Sequence, residues 1–162
     1  MDEVDLIIAQ WAKQRPELNT RPMALIGRLM RVSHVLAAEM GKTFAKHNLN
    51  GPSFDVLATL LRSGPPHALS PNDLLATMMI TSGTMTNRID RLEQAGLVKR
   101  IQNQNDKRSV LIALTEQGKT LIEKTVTAHV ETQEKLVSPL TDEEQATFNK
   151  LLIKYLSANE NV

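Results

Sequence analysis

The sequence predicts a mainly α protein with a small β-hairpin, arranged as a winged helix-turn-helix between long flanking helices. Three observations carry this expectation. Apolar residues recur at helical spacing over most of the chain, as in the stripe Leu25, Leu29, Val32, Leu36 and Met40. A helix written "SGTMTNRIDRLEQAG" follows a shorter one across the turn "ITSG". Directly after it, "LVKRIQNQNDKRSVLIAL" sets two apolar runs around a polar tip, with Val110, Ile112 and Leu114 alternating at period two. Helix, turn, helix and hairpin in that order between Ser70 and Leu114 give the winged arrangement.

Each element has a local cause. Val4 to Lys13 is a short amphipathic helix carrying Leu6, Ile7 and Trp11, broken by "RPELNTRP". Thr20 then caps a long helix, with Pro22 tolerated in its first turn, and "NLNGP" ends it near Asn48. A third helix runs from about Ser53 to Arg62 and stops at "SGPP". Ser70 caps the next, with Pro71 at its first position and Asp73 in its first turn, and it reaches roughly to Met78. Thr81 or Ser82 caps the following helix, which Gly96 closes at the position favoured for a left-handed residue. Strands are expected over Leu97 to Ile101 and Ser109 to Leu114. Thr115 starts a helix that reaches about Leu136, "SPLTDEE" breaks it, and Thr141 with Glu144 forms a capping box for a last helix bearing Phe148, Leu151, Leu152 and Tyr155.

Composition narrows the function. The 162 residues suit one domain with terminal extensions, and the apolar share of 41% suffices for a core. Aromatics are only 3%, so aliphatics and the 7 methionines must fill the interior. There is no cysteine, which excludes disulfides, thiolate zinc sites and thiol redox sensing. The 4 histidines, His34, His47, His67 and His129, lack metal-ligand spacing, and no metal or cofactor is expected. There is no Gly-rich phosphate loop and no nucleophile elbow, so the chain does not read as an enzyme. No run is apolar enough to span a membrane, and the acidic start (Asp2, Glu3, Asp5) lacks a signal-peptide layout; a cytoplasmic protein is the expectation.

Charge then points to one surface. From Ser82 to Arg108 there are six basic residues (Arg88, Arg91, Lys99, Arg100, Lys107, Arg108) against three acidic ones (Asp90, Glu93, Asp106), a local +3 in a chain of net +1. On the helix, Met85, Ile89 and Leu92 fall on one side as anchors. Ser82, Gly83, Thr84, Thr86, Asn87 and Arg91 supply small and hydrogen-bonding groups elsewhere, with Arg88 on the flank. Small groups allow close approach to a major groove, Asn can pair with adenine, and Arg can pair with guanine or phosphate. At the hairpin tip, Lys107 and Arg108 follow Asp106, which in an extended chain shares a face with Arg108 and can orient its guanidinium. An aimed arginine suits the narrow, negative minor groove. The bland alternatives are an ordinary exposed amphipathic helix and a solvated turn.

The stretch "SGTMTNRIDRLEQAGLVKRIQNQNDKRSVLIALTEQGK" closely resembles the helix-turn-helix and wing of the MarR family of bacterial transcriptional regulators, with Asp106, Lys107, Arg108 and Ser109 matching its wing motif. The resemblance implies a homodimer of winged domains reading a pseudo-palindromic DNA operator, usually as a repressor released by a small molecule. The implied organisation is residues 1–50 as N-terminal helices for dimerisation and ligand contact, 51–114 as the DNA-binding domain, and 115–162 as C-terminal dimerisation helices. A narrower resemblance, in "FDVLATLLRSGPPHALSPNDLLATMMITSG", is to the urate-responsive PecS- and HucR-like branch. It assigns ligand binding to Trp11, Asp55, Arg62 and Arg100.

The residue chemistry agrees. Asp55 and Arg62 are seven apart and share a helix face, Arg62 and Arg100 can meet an anion, and Trp11 offers a flat surface and an indole N–H. The alternatives are a phenolic carboxylate effector such as salicylate, a structural use of Asp55, Arg62 and Trp11, or a winged-helix module used only for protein contacts.

Overall fold

In the computed structural model the described residues are 1–78, 85–104, 106 and 108–159. The expected caps and contacts at Thr81, Ser82, Gly83, Thr84 and Lys107 lie outside them. The element order is α1 (Glu3–Gln14), α2 (Arg21–Ala45), α3 (Gly51–Arg62), β1 (Ala68–Leu69), α4 (Pro71–Thr77), α5 (Met85–Gln94), β2 (Val98–Gln102), β3 (Val110–Leu114), α6 (Glu116–Val137) and α7 (Asp142–Asn159). Mainly helical structure with a small antiparallel sheet is what the sequence predicts. Among the described residues no helix is long and apolar enough to cross a membrane.

The chain forms two compact units, Met1–Lys42 and Thr43–Val162, with the division inside α2. In the first unit, α1 opens with a capping box: Asp2 accepts the Asp5 N–H, and Asp5 accepts the Asp2 N–H, each at 2.9 Å. The same two carboxylates bind Arg28 of α2, whose Nε donates to Asp2 at 2.8 Å and whose Nη2 donates to Asp5 at 2.5 Å. Arg31 pairs with Glu3. Arg28 and the neighbouring N–H groups hold the Asp2 and Asp5 carboxyls below their usual range. Val4 is buried, its methyls 3.6 and 3.8 Å from where a Cβ on Gly27 would stand. Leu6, Ile7, Trp11, Leu25, Ile26, Leu29 and Met30 stay exposed.

One cap differs from expectation. The Thr20 carbonyl accepts the Ala24 N–H, as at an N-cap, yet it is the Asn19 side chain that accepts the Arg21 N–H, at 3.2 Å. An Asn carboxamide one residue earlier reaches this donor, which the local pattern alone did not distinguish.

The second unit holds the core. Val56, Leu57 and Leu60 of α3, Leu74 of α4 and Ile122 of α6 are fully buried. Asn50, in left-to-right order just ahead of Gly51, caps α3 by accepting the Ser53 N–H at 2.9 Å, so this helix starts two residues earlier than predicted. Ser70, Thr115 and the Thr141/Glu144 pair cap α4, α6 and α7 as expected. The sheet order is β1-β3-β2, all antiparallel, with Ala68 opposite Ala113 and Arg100 opposite Ile112. Strand β1 was not predicted: two residues have no readable period, and only pairing with β3 makes them a strand. Gly96, at φ +72°, ends the helix–strand corner between α5 and β2. Phe44 stacks on Phe54 with ring centroids 4.3 Å apart, and His129 of α6 lies 5.0 and 4.8 Å from them.

Candidate DNA interface and ligand site

Helix α5 is fixed by its apolar side. Met85, Ile89 and Leu92 are 4%, 3% and 3% exposed, so all three predicted anchors are in the core. Burying them contributes about 2 kcal/mol each relative to exposure. The helix therefore has one way to sit, and the remaining residues are presented outward. Thr86, Asn87 and Arg91 are exposed, and Arg88 is half-buried on the flank.

Asn87, Arg88 and Arg91 also line a cleft of about 250 Å³ with Asn50, Pro52 and Ser53 from the start of α3. Asn50 and Ser53 were not singled out in the sequence. Their side of α3 meets α5 only through the tertiary fold.

The wing is β2, β3 and the tip between them. Asn103 bridges the tip, its N–H donating to the Ser109 carbonyl at 3.1 Å and its Nδ2 to Ser109 Oγ at 2.9 Å. The role of Asp106 differs from the expected one. Its Oδ1 accepts the backbone N–H of Arg108 at 3.0 Å, and its carbonyl accepts both the Ser109 N–H and hydroxyl. The expectation that Asp106 bonds the Arg108 guanidinium assumed an extended chain. The Ser109 N–H returns to the Asp106 carbonyl, so Asp106 does not continue an extended strand and its carboxylate reaches the nearer backbone donor instead. Asp106 shapes the turn that presents Arg108, and the Arg108 side chain is exposed.

Arg100 stands on the edge strand β2 and faces α5. Its Nη2 donates to Asp90 Oδ1 at 2.5 Å, its Nη1 pairs with Glu93, and its backbone N–H donates to Glu93 Oε1 at 3.2 Å. Glu93 thus covers an edge N–H that the sheet leaves free. The hydrogen bond that Arg100 donates to Asp90 and the charges of both carboxylates raise the Arg100 pKa above its ordinary value.

Asp55 and Arg62 both lie on α3, as expected. Asp55 is half-buried, and its Oδ2 is inaccessible and accepts no hydrogen bond. A buried carboxylate oxygen without a donor calls for water or a ligand group. Arg62 Nη2 donates to Thr59 Oγ1 at 3.0 Å and to the Thr77 carbonyl at 2.6 Å, closing the end of α4. Among the described residues no ion pair joins Asp55 to Arg62. Trp11 belongs to the first unit, on α1, where it is 39% exposed.

A helix–turn–helix whose second helix turns amide and guanidinium groups outward, followed by a wing ending in an exposed arginine, defines a winged helix-turn-helix of the DNA-binding class. Comparison with known proteins gives its family. The MarR family model matches residues 49–110. The transcriptional regulator PecS of Dickeya dadantii is 43% identical over 150 residues, covering 93% of this chain and 90% of that protein. This chain belongs to the MarR family, in its PecS-like branch.

Two solved structures add context. An Escherichia coli MarR variant complexed with operator DNA superposes with a TM-score of 0.73 at 27% identity, covering 85% of this chain and 97% of that one. Bordetella bronchiseptica BpsR, whose DNA binding is regulated by 6-hydroxynicotinic acid, does so with a TM-score of 0.70 at 26% identity, covering 80% and 90%. The protein is a transcriptional regulator, not an enzyme.

Proposed function

We propose that this regulator is a cytoplasmic repressor that binds a pseudo-palindromic operator as a homodimer and is released by a small aromatic anion, urate or a related purine. The observation that carries the DNA half is the outward face of α5: Thr86, Asn87 and Arg91 are exposed over a buried Met85-Ile89-Leu92 seam. In this reading Thr86, Asn87, Arg88 and Arg91, with Ser82, Gly83 and Thr84 before them, meet the major groove and its phosphates. Lys107 and Arg108 reach the minor groove from the turn that Asp106 shapes.

The dimer is supported by apolar surface that a lone chain leaves in water. On α2 the stripe Leu25, Leu29 and Val32 is exposed, and on α7 so are Phe148, Leu151, Tyr155 and Leu156. Residues 1–50 and 115–162 would supply the dimer contacts, leaving 51–114 to the operator.

The ligand half is supported by the orphaned Oδ2 of Asp55 on the same helix as Arg62. A purine anion carries both ring N–H donors and acceptor oxygens. Its donors suit Asp55, its oxygens suit Arg62 and Arg100, and Trp11 offers a stacking face. The second reading, an aromatic carboxylate such as salicylate, is supported by the 6-hydroxynicotinic acid response of BpsR.

The test is an operator titration in a series of salt concentrations, with and without urate and salicylate. Salt-dependent, sequence-specific binding loosened by urate is expected. Binding insensitive to sequence would sink the operator assignment. A complex loosened by salicylate alone would transfer the effector assignment to phenolic acids.

A further inference from the structure

Arg100 has two demands on one guanidinium. Under the reading above it receives the effector anion, yet its Nη1 and Nη2 are both held by carboxylates of α5, Glu93 and Asp90. Glu93 holds it twice, since it also accepts the Arg100 backbone N–H at 3.2 Å. An anion that pairs with this guanidinium competes with the two carboxylates for its charge and its direction. Conversely, Asp90 and Glu93 are three apart on one face of α5, where two like charges repel unless a cation lies between them.

We propose that Asp90 and Glu93 are positioning residues: they use Arg100 to clamp the wing to the recognition helix, and the effector acts by competing for Arg100. The clamp joins the edge strand β2 to α5, the two elements whose relative placement sets where the wing tip and the helix face meet DNA. When Arg100 turns to an anion, Asp90 and Glu93 of α5 lose their counter-ion and the side-chain link from β2 to α5 is weakened. The operator and the effector then disfavour each other through this one cation, and the coupling is reciprocal. This inference rests on the ligand role of Arg100 for its effector half, while the clamp itself stands on the ion pairs alone.

The clamp makes a prediction opposite in sign to bulk electrostatics. Removing two negative charges beside a DNA-binding surface ordinarily tightens DNA binding. Breaking a clamp loosens it. The experiment uses the full-length protein with the variants D90N/E93Q, R100A and the triple combination. Glutamine at 93 keeps an oxygen for the Arg100 backbone N–H, so folding is preserved while the charge is lost; thermal melts at one protein concentration check this.

The expected result is a weakening of operator binding by about fivefold in D90N/E93Q, with no change in salt slope. The triple variant should bind no worse than R100A, because all three residues form one device. With urate added, D90N/E93Q should bind urate more tightly than wild type and show a smaller effect of urate on the operator complex. Tighter or unchanged operator binding in D90N/E93Q overturns the clamp. Additive losses in the triple variant overturn it as well. If neither urate nor salicylate alters the wild-type complex, the effector half falls with the ligand reading, and the operator arm still decides the clamp.

Discussion

Gly118, at the start of α6, lies directly against the carbonyl oxygen of Leu97 at the root of the wing: a Cβ there would come within 1.9 Å of that oxygen. The contact belongs to a tight joint. The Thr115 N–H donates to the Leu97 carbonyl at 3.1 Å, its hydroxyl donates to the Gly96 carbonyl at 2.7 Å, and that hydroxyl oxygen also accepts the Gly118 N–H at 3.0 Å. The corner after α5 and the start of α6 are thereby locked together, and the atoms that a Cβ would meet are Leu97 backbone, so no flexible side chain can yield to make room. Gly118→Ala should therefore cost about 1–3 kcal/mol of stability. Urea unfolding at fixed protein concentration measures it, and a variant as stable as wild type would show that the joint yields easily.

The Asp106 geometry separates two roles that the sequence merged. Its side chain accepts a backbone N–H, so an oxygen is needed there and a charge is not. Asp106→Asn should keep most operator affinity, while Asp106→Ala should lose part of it as the turn loosens. Arg108→Ala should weaken binding with little change in melting temperature, by about 1–3 kcal/mol. Anisotropy titrations rank the three. Equal losses for the Asn and Ala variants would return the role to the carboxylate charge.

Arg62 has a structural task alongside its proposed ligand task. It donates to the Thr77 carbonyl and Thr59 hydroxyl across α3 and α4. Arg62→Ala should lower stability by about 1 kcal/mol, leave operator binding measurable, and blunt the urate effect. A normal urate response in this variant would remove Arg62 from the ligand set and leave it a cap.

His129 gives a pH dependence of stability. It sits against Phe44 and Phe54, its Nδ1 is buried without a partner, and burial lowers its pKa below the ordinary 6.5. The folded state thus holds a neutral imidazole that the unfolded chain protonates more readily. Its contribution is complete above pH 6.5 and is lost as the pH falls through that value toward the lowered folded pKa. Melting temperature should drop as the pH is lowered through 6.5, and His129→Phe should flatten that part of the curve. An equally steep curve in the variant would place the dependence elsewhere.

By itself the sequence determined the helices, the β2–β3 hairpin and the buried side of α5. Caps at Ser70, Thr115 and Thr141, the Gly96 stop, the Met85-Ile89-Leu92 seam and the alternation of β3 are local patterns, each decided by residues within one or two turns of one another. Local patterns are legible because their partners are near in the chain. The partners of the charged groups were not. That Arg100 faces Asp90 and Glu93, that Arg62 closes α4, and that Asn50 and Ser53 share a cleft with Arg91 depends on how separate elements pack. The two-residue strand β1 exists only because β3 lies beside it. Tertiary structure decided these, because a side chain's reach is set by distance in space, and only the buried seams bring such residues within it.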